Sequence, residues 1–205
     1  MTDKKKAETI VSNTAASLTE KKTGTPSIET IIKVAGLILA MGTIFFSYRT
    51  YMASEKWKKA EFTSAKFKEF SINKSVSLAN EMLDYHSRLF PLLNQDSLVG
   101  ISDDVLYSAL IIDTANSDFS ETETKVRDIF DEYFDQLSLF NRYAKTDLIK
   151  YEEIKPYIEY QASIIADTTN TRKENLLRLR IWDYINYYGF KDVKELYTNI
   201  GYSIK

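Results

Sequence analysis

The chain offers few residues for chemistry, and their spacing narrows the choice further. His86 is the only histidine and there is no cysteine. Ser-His-Asp hydrolysis and most general acid–base schemes would therefore have to pass through His86. Its neighbours Glu81, Asp84 and Arg88 read as ordinary helix-surface charges. No Arg stands four to six residues before it, as one class of helical ribonuclease requires. Thiolate zinc sites, disulfide scaffolds and cysteine nucleophiles are excluded together, although this leaves the compartment open. Asp128, Asp131, Glu132 and Asp135 fall at i, i+3, i+4 and i+7 and so share one helical face. Such carboxylates can hold a hard cation. Helical sites of that kind pair them with Glu-x-x-His, which is absent here, so a solvated face is expected. The six glycines form neither a phosphate loop nor a dinucleotide fingerprint. Nothing catalytic, no cofactor site and no metal site is predicted.

The elements that would position any site begin with residues 31–52, IIKVAGLILAMGTIFFSYRTYM. Val34 to Tyr48 carries no charge. Those residues cover about 22 Å as a helix, against about 30 Å of bilayer core. Lys33 and Arg49 close the gap by snorkelling to the headgroups. A secretory signal is disfavoured: over thirty residues would precede its apolar run, and small residues are missing at the cleavage spacing. A soluble core helix is disfavoured because no side of the segment is polar. One transmembrane helix over residues 28–52 is the expectation.

The flanks suggest an orientation. Arg49, Lys56, Lys58, Lys59, Lys66 and Lys68 crowd the C-terminal side, while Lys21 and Lys22 stand nearest on the other. Positive charge close to a span stays in the cytoplasm, which places the following domain there, inside the plasma membrane. Lys33, Arg49, Lys56, Trp57, Lys58 and Lys59 are the expected membrane-interface residues. Near the surface, anionic headgroups attract each such cation by about 1 kcal/mol, so membrane lipid is an expected partner. Within the span, Gly36, Ala40, Thr43 and Ser47 recur at i, i+4, i+7 and i+11. Small residues let helices approach closely, so this stripe is the predicted packing face for a homo-oligomer or another membrane protein.

Net charge runs +2 over residues 1–27, +3 over 49–70, −7 over 71–150 and zero over 151–205. The acidic middle argues against nucleic acid, which needs clustered Lys and Arg. Arg172, Lys173, Arg178 and Arg180 near Trp182 could still contact phosphates, although Glu174 and Asp183 dilute that patch. The aromatics of the last third, from Tyr151 to Tyr202, are expected to build the core, with a partner surface near Tyr187-Tyr188-Gly189-Phe190.

Four regions are expected: a disordered basic tail over 1–27, the transmembrane helix over 28–52, a juxtamembrane helical stalk over 53–72 and a helical domain over 73–205. Ser27 is a plausible N-cap for the span, and a bend is expected near Ser71–Asn73. Helices are predicted over roughly Ser75 to Leu89, Ser102 to Asp113, Tyr151 to Asp167, Lys173 to Tyr188 and Asp192 to Asn199. Ser120-Glu121-Thr122-Glu123 has capping-box form. The helix behind it buries Val126, Phe130, Tyr133, Phe134, Leu137, Phe140 and Ala144 at 3–4 spacing. No window combines period-2 alternation with hairpin turn residues, so no strand is predicted. The fold class expected is all-α, a single N-terminal transmembrane helix followed by an antiparallel helical bundle.

The segment Val126 to Ile165 resembles a bacterial domain-of-unknown-function family. That family has one N-terminal membrane helix and a cytoplasmic helical domain. The likeness is carried by Phe134-Asp135, Leu137, a basic turn through Arg142 and Lys145, and Ile149, Tyr157 and Ile158. The family often has Glu where this chain has Asp135. The resemblance covers about a fifth of the chain. It implies a membrane-tethered, non-enzymatic helical module with an unknown protein partner. A small membrane effector or toxin, acting through oligomerised spans, is the alternative.

Overall fold

The computed structural model describes residues 27–94, 97–112 and 118–204. The basic tail expected over residues 1–27 lies outside the described residues except for Ser27. The chain divides into two compact units, Met1–Ser54 and Glu55–Lys205. Seven helices and one two-stranded sheet are seen among the described residues.

Helix α1 runs Ile28–Ile72 without a break. From Thr43 to Phe90 the sequence has neither Gly nor Pro to stop it. Ser27 begins it, its Oγ accepting from the Thr30 amide at 3.3 Å. Asn73 ends it at the expected bend. Its backbone is extended, and its side chain accepts from the Val76 amide, which caps α2 (Lys74–Asp84).

The all-α expectation is corrected at the next element. The chain turns extended after Tyr85, and β1 (Ser87–Asn94) pairs antiparallel with β2 (Ser97–Ser102). The helix predicted to reach Leu89 therefore stops at Asp84. Pro91 sits inside a strand of a two-stranded sheet, where a missing donor is tolerated. Alternation was present but short. Phe90, Leu92 and Ile101 are buried, while Leu89 and Leu98 are exposed. Runs this short also fit a helix, and the 3–4 spacing from Leu78 to Leu89 competed with the period of two.

Helix α3 (Asp103–Ala109) is capped by Ser102, whose side chain accepts from the Val105 amide. Helix α4 (Glu121–Lys145) starts at the expected capping box: the Glu123 amide donates to Ser120 Oγ at 3.2 Å and the Ser120 amide donates to Glu123 Oε2 at 2.9 Å. The α4 stripe is buried as predicted from Val126 to Phe140, while Ala144 is only partly buried. Burying each such large side chain is worth about 1.5–3 kcal/mol. Around α4 pack α2, α3, β1 and α7 (Lys191–Asn199). Helices α5 (Tyr151–Ala166) and α6 (Asn175–Tyr187) complete the layer. Gly189, at φ +78°, closes α6 in the left-handed conformation that only glycine adopts freely.

Candidate functional site

Among the described residues one helix, α1, is long and apolar enough to cross a membrane, with mean hydropathy 1.9 over its best window and none of that window buried. Two of its threonine hydroxyls turn inward on the helix: Thr43 Oγ1 donates to the carbonyls of Leu39 and Ala40, and Thr50 Oγ1 to that of Phe46. Of the predicted packing stripe, Thr43 and Ser47 line an open groove of about 880 Å³ together with Gly42, Leu39 and Phe46. Gly36 and Ala40 lie outside it. Gly42, a position the i, i+4 count stepped over, is part of the lining. At Gly36 and at Gly42 an added Cβ would meet nothing within 4 Å.

The expected interface residues have distinct partners. Lys33 pairs with Glu29 at 2.6 Å, and the Arg49 guanidinium lies 5.8 Å from the Phe45 ring centre. In Glu55–Lys205, Lys56 and Trp57 are exposed, Trp57 at 73%. Lys58 reaches Glu55 at 3.6 Å. Lys59 has a more structured role. Its ammonium donates to the Asp147 carbonyl at 2.7 Å and to Asp147 Oδ2 at 3.1 Å. Asp147 has φ +56°, the sole non-glycine in the left-handed region among the described residues. Lys59 thus clamps the turn between α4 and α5.

The proposed phosphate patch is dismantled by the fold. Arg178 is 1% exposed and donates to the carbonyls of Ile164, Asn170 and Lys173 and to Asn175 Oδ1. Burial pulls its guanidinium below the usual arginine range. Lys173 is 2% exposed, its ammonium donating to the Tyr85 carbonyl at 2.7 Å and to the Asp103 carboxylate. Burial lowers its pKa, and Asp103 opposes that shift. Arg180 lies over Tyr107 and donates to its hydroxyl. Only Arg172 remains on the surface, 3.8 Å from Asp84. Leu176, Leu177 and Leu179 stand among these cations, and nothing in that local pattern marks which of the charges go inside.

His86 is exposed and its Nδ1 lies 2.6 Å from Asp103 Oδ2, so Asp103 joins the surface imidazole to the buried Lys173 ammonium. That chain of contacts fastens the base of the hairpin to the segment before α6.

The acidic face of α4 is less solvated than its spacing implied. Tyr184 donates to Asp131 Oδ1 at 2.6 Å. Glu132 accepts from Asn73 and Gln136, while Asp128 sits 3.5 Å from Lys125 on its own helix. Burial raises the Asp131 carboxyl above the usual range, against the Tyr184 bond and Arg127. Asp128, Asp131 and Glu132 answer to different neighbours, and Asp135 is exposed. No group of three or more His, Cys, Asp or Glu that could hold a metal ion gathers among the described residues.

The aromatics divide. Trp182, Tyr184 and Tyr197 are buried, whereas Tyr157, Tyr160 and Tyr187 are exposed. Tyr188 accepts from Arg127, whose guanidinium also lies over Phe119 and Tyr184. No family model, curated protein or solved structure matches this chain.

Proposed function

We propose that this chain is a non-catalytic, single-pass membrane-anchored protein whose helical domain, a bundle with one hairpin, holds or senses a protein partner on the cytoplasmic side. One observation carries the reading: the apolar part of α1 is wholly unburied within the protein, so it needs another apolar solvent. The likeness of Val126–Ile165 to a membrane-tethered, non-enzymatic family supports it. The cations after the span support the orientation.

The groove at Gly42 favours a second reading, a membrane effector acting through oligomerised spans. Expressing the full chain and residues 55–205 in a bacterium, with fractionation and membrane potential recorded, separates the two. An anchored module leaves the potential intact while the full chain resists alkaline carbonate. An effector depolarises the cell, and Gly42→Leu abolishes the effect by blocking close approach. Extraction of the full chain by carbonate would sink both readings.

A further inference from the structure

We propose that Lys56, Trp57, Lys58 and Lys59 form a collar that seats in a layer of anionic phospholipid headgroups. The inference rests on reading residues 28–52 as a membrane span and adds the lipid class it prefers.

The argument begins with helix geometry. All four residues lie within α1. Successive helical residues point 100° apart, so together they ring the helix within about 4.5 Å of its length. A groove in a partner protein would read one face of a helix. A plane pierced by the helix touches every side at one level, and this arrangement fits such a plane. The first of the four comes four positions after Met52 in sequence.

Composition fits the same plane. Three ammonium groups match phosphate diesters in charge, and Trp is the side chain suited to the boundary between headgroup and hydrocarbon. Trp57, at 73% exposed, contrasts with Trp182, which is 4% exposed and donates to the Ile165 carbonyl at 2.7 Å. The carboxylates that compete for the collar are Glu55, beside Lys58, and Asp147, beside Lys59. Both ion pairs are solvent-exposed, and such pairs are weak enough for headgroups to displace, while Lys59 keeps its bond to the Asp147 carbonyl and adds its charge from there. Lys56 has no ion pair among the described residues.

Trp57 and Trp182 are the only tryptophans, which makes the test direct. The full chain is reconstituted in vesicles of phosphatidylcholine with phosphatidylglycerol, brominated in one lipid or the other at equal mole fraction. Trp57→Phe supplies the Trp182 background. Brominated phosphatidylglycerol should quench Trp57 about twofold more than brominated phosphatidylcholine. Lys56→Gln with Lys58→Gln, or high salt, should bring the two to parity. Equal quenching in the unsubstituted chain would overturn the collar, and so would quenching by aqueous iodide with neither brominated lipid effective. Alkaline carbonate on the same vesicles separates the two failures: a retained protein loses only the collar, and a released one loses the span as well.

Discussion

The Nε of Arg178 donates to the carbonyl of Ile164 at 2.8 Å, joining the start of α6 to the end of α5 where the arginine is 1% exposed. The guanidinium reaches four acceptors in all, a number only its planar fork can serve from one position. Arg178→Met should cost about 3–5 kcal/mol, because the carbonyls lose their donors inside the fold. Arg178→Lys should recover only part of that. Urea unfolding followed by circular dichroism checks both.

Lys173 and Asp103 should behave as one unit. Lys173→Met leaves the Asp103 carboxylate without its buried partner and should lose about 3 kcal/mol. Asp103→Asn in the same chain should return part of the loss. The double-mutant cycle reads the coupling, and additive losses would show that the pair contributes no coupling.

Asp131 runs against the usual behaviour of a carboxylate. Its folded pKa is raised by burial, so the folded state holds the proton more tightly than the unfolded chain does. Stability attached to this group therefore grows as pH falls through its raised value, and at neutral pH the ionised form is a cost. Asp131→Asn keeps an acceptor for Tyr184 and should gain up to about 1 kcal/mol at pH 7. The advantage should shrink as the pH is lowered toward 4, which paired denaturant curves would show.

Alkaline titration should proceed in two stages. Burial pushes the phenols of Tyr133, Tyr184 and Tyr197 above their usual range, with Asp131 adding to the effect at Tyr184. Their contribution to stability is intact below about pH 10, the unfolded value, and is lost as pH rises toward the folded values. The first rise in tyrosinate absorbance should exclude these three rings. A second rise should coincide with loss of helical circular dichroism. A single smooth rise with the helices intact would contradict the burial of those three rings.

The elements legible in the sequence were those fixed by local rules. Asn73, Ser120 and Gly189 mark boundaries through their own side chains or backbone preferences, and each does so in the structure. The α4 stripe was readable because its spacing persists over several turns. The hairpin was not, because its runs are short and the nearby helical spacing continued into Leu89. The fate of the cations was also hidden. Nothing local distinguishes Lys173, drawn inside by Asp103 and the Tyr85 carbonyl, from Arg172 beside it on the surface. Asp131 likewise faces inward because Tyr184 arrives from a helix more than fifty residues away.

Arg178 also has a consequence for where this domain can fold. It closes the segment from Ile164 to Arg178 much as a covalent bridge would, yet it has no oxidation state. In a chain without cysteine, no part of the domain depends on the thiol–disulfide potential of its surroundings. The same contacts form in a reducing cytoplasm and in an oxidising exterior. Redox conditions therefore place no constraint on the side of a membrane on which this domain could fold.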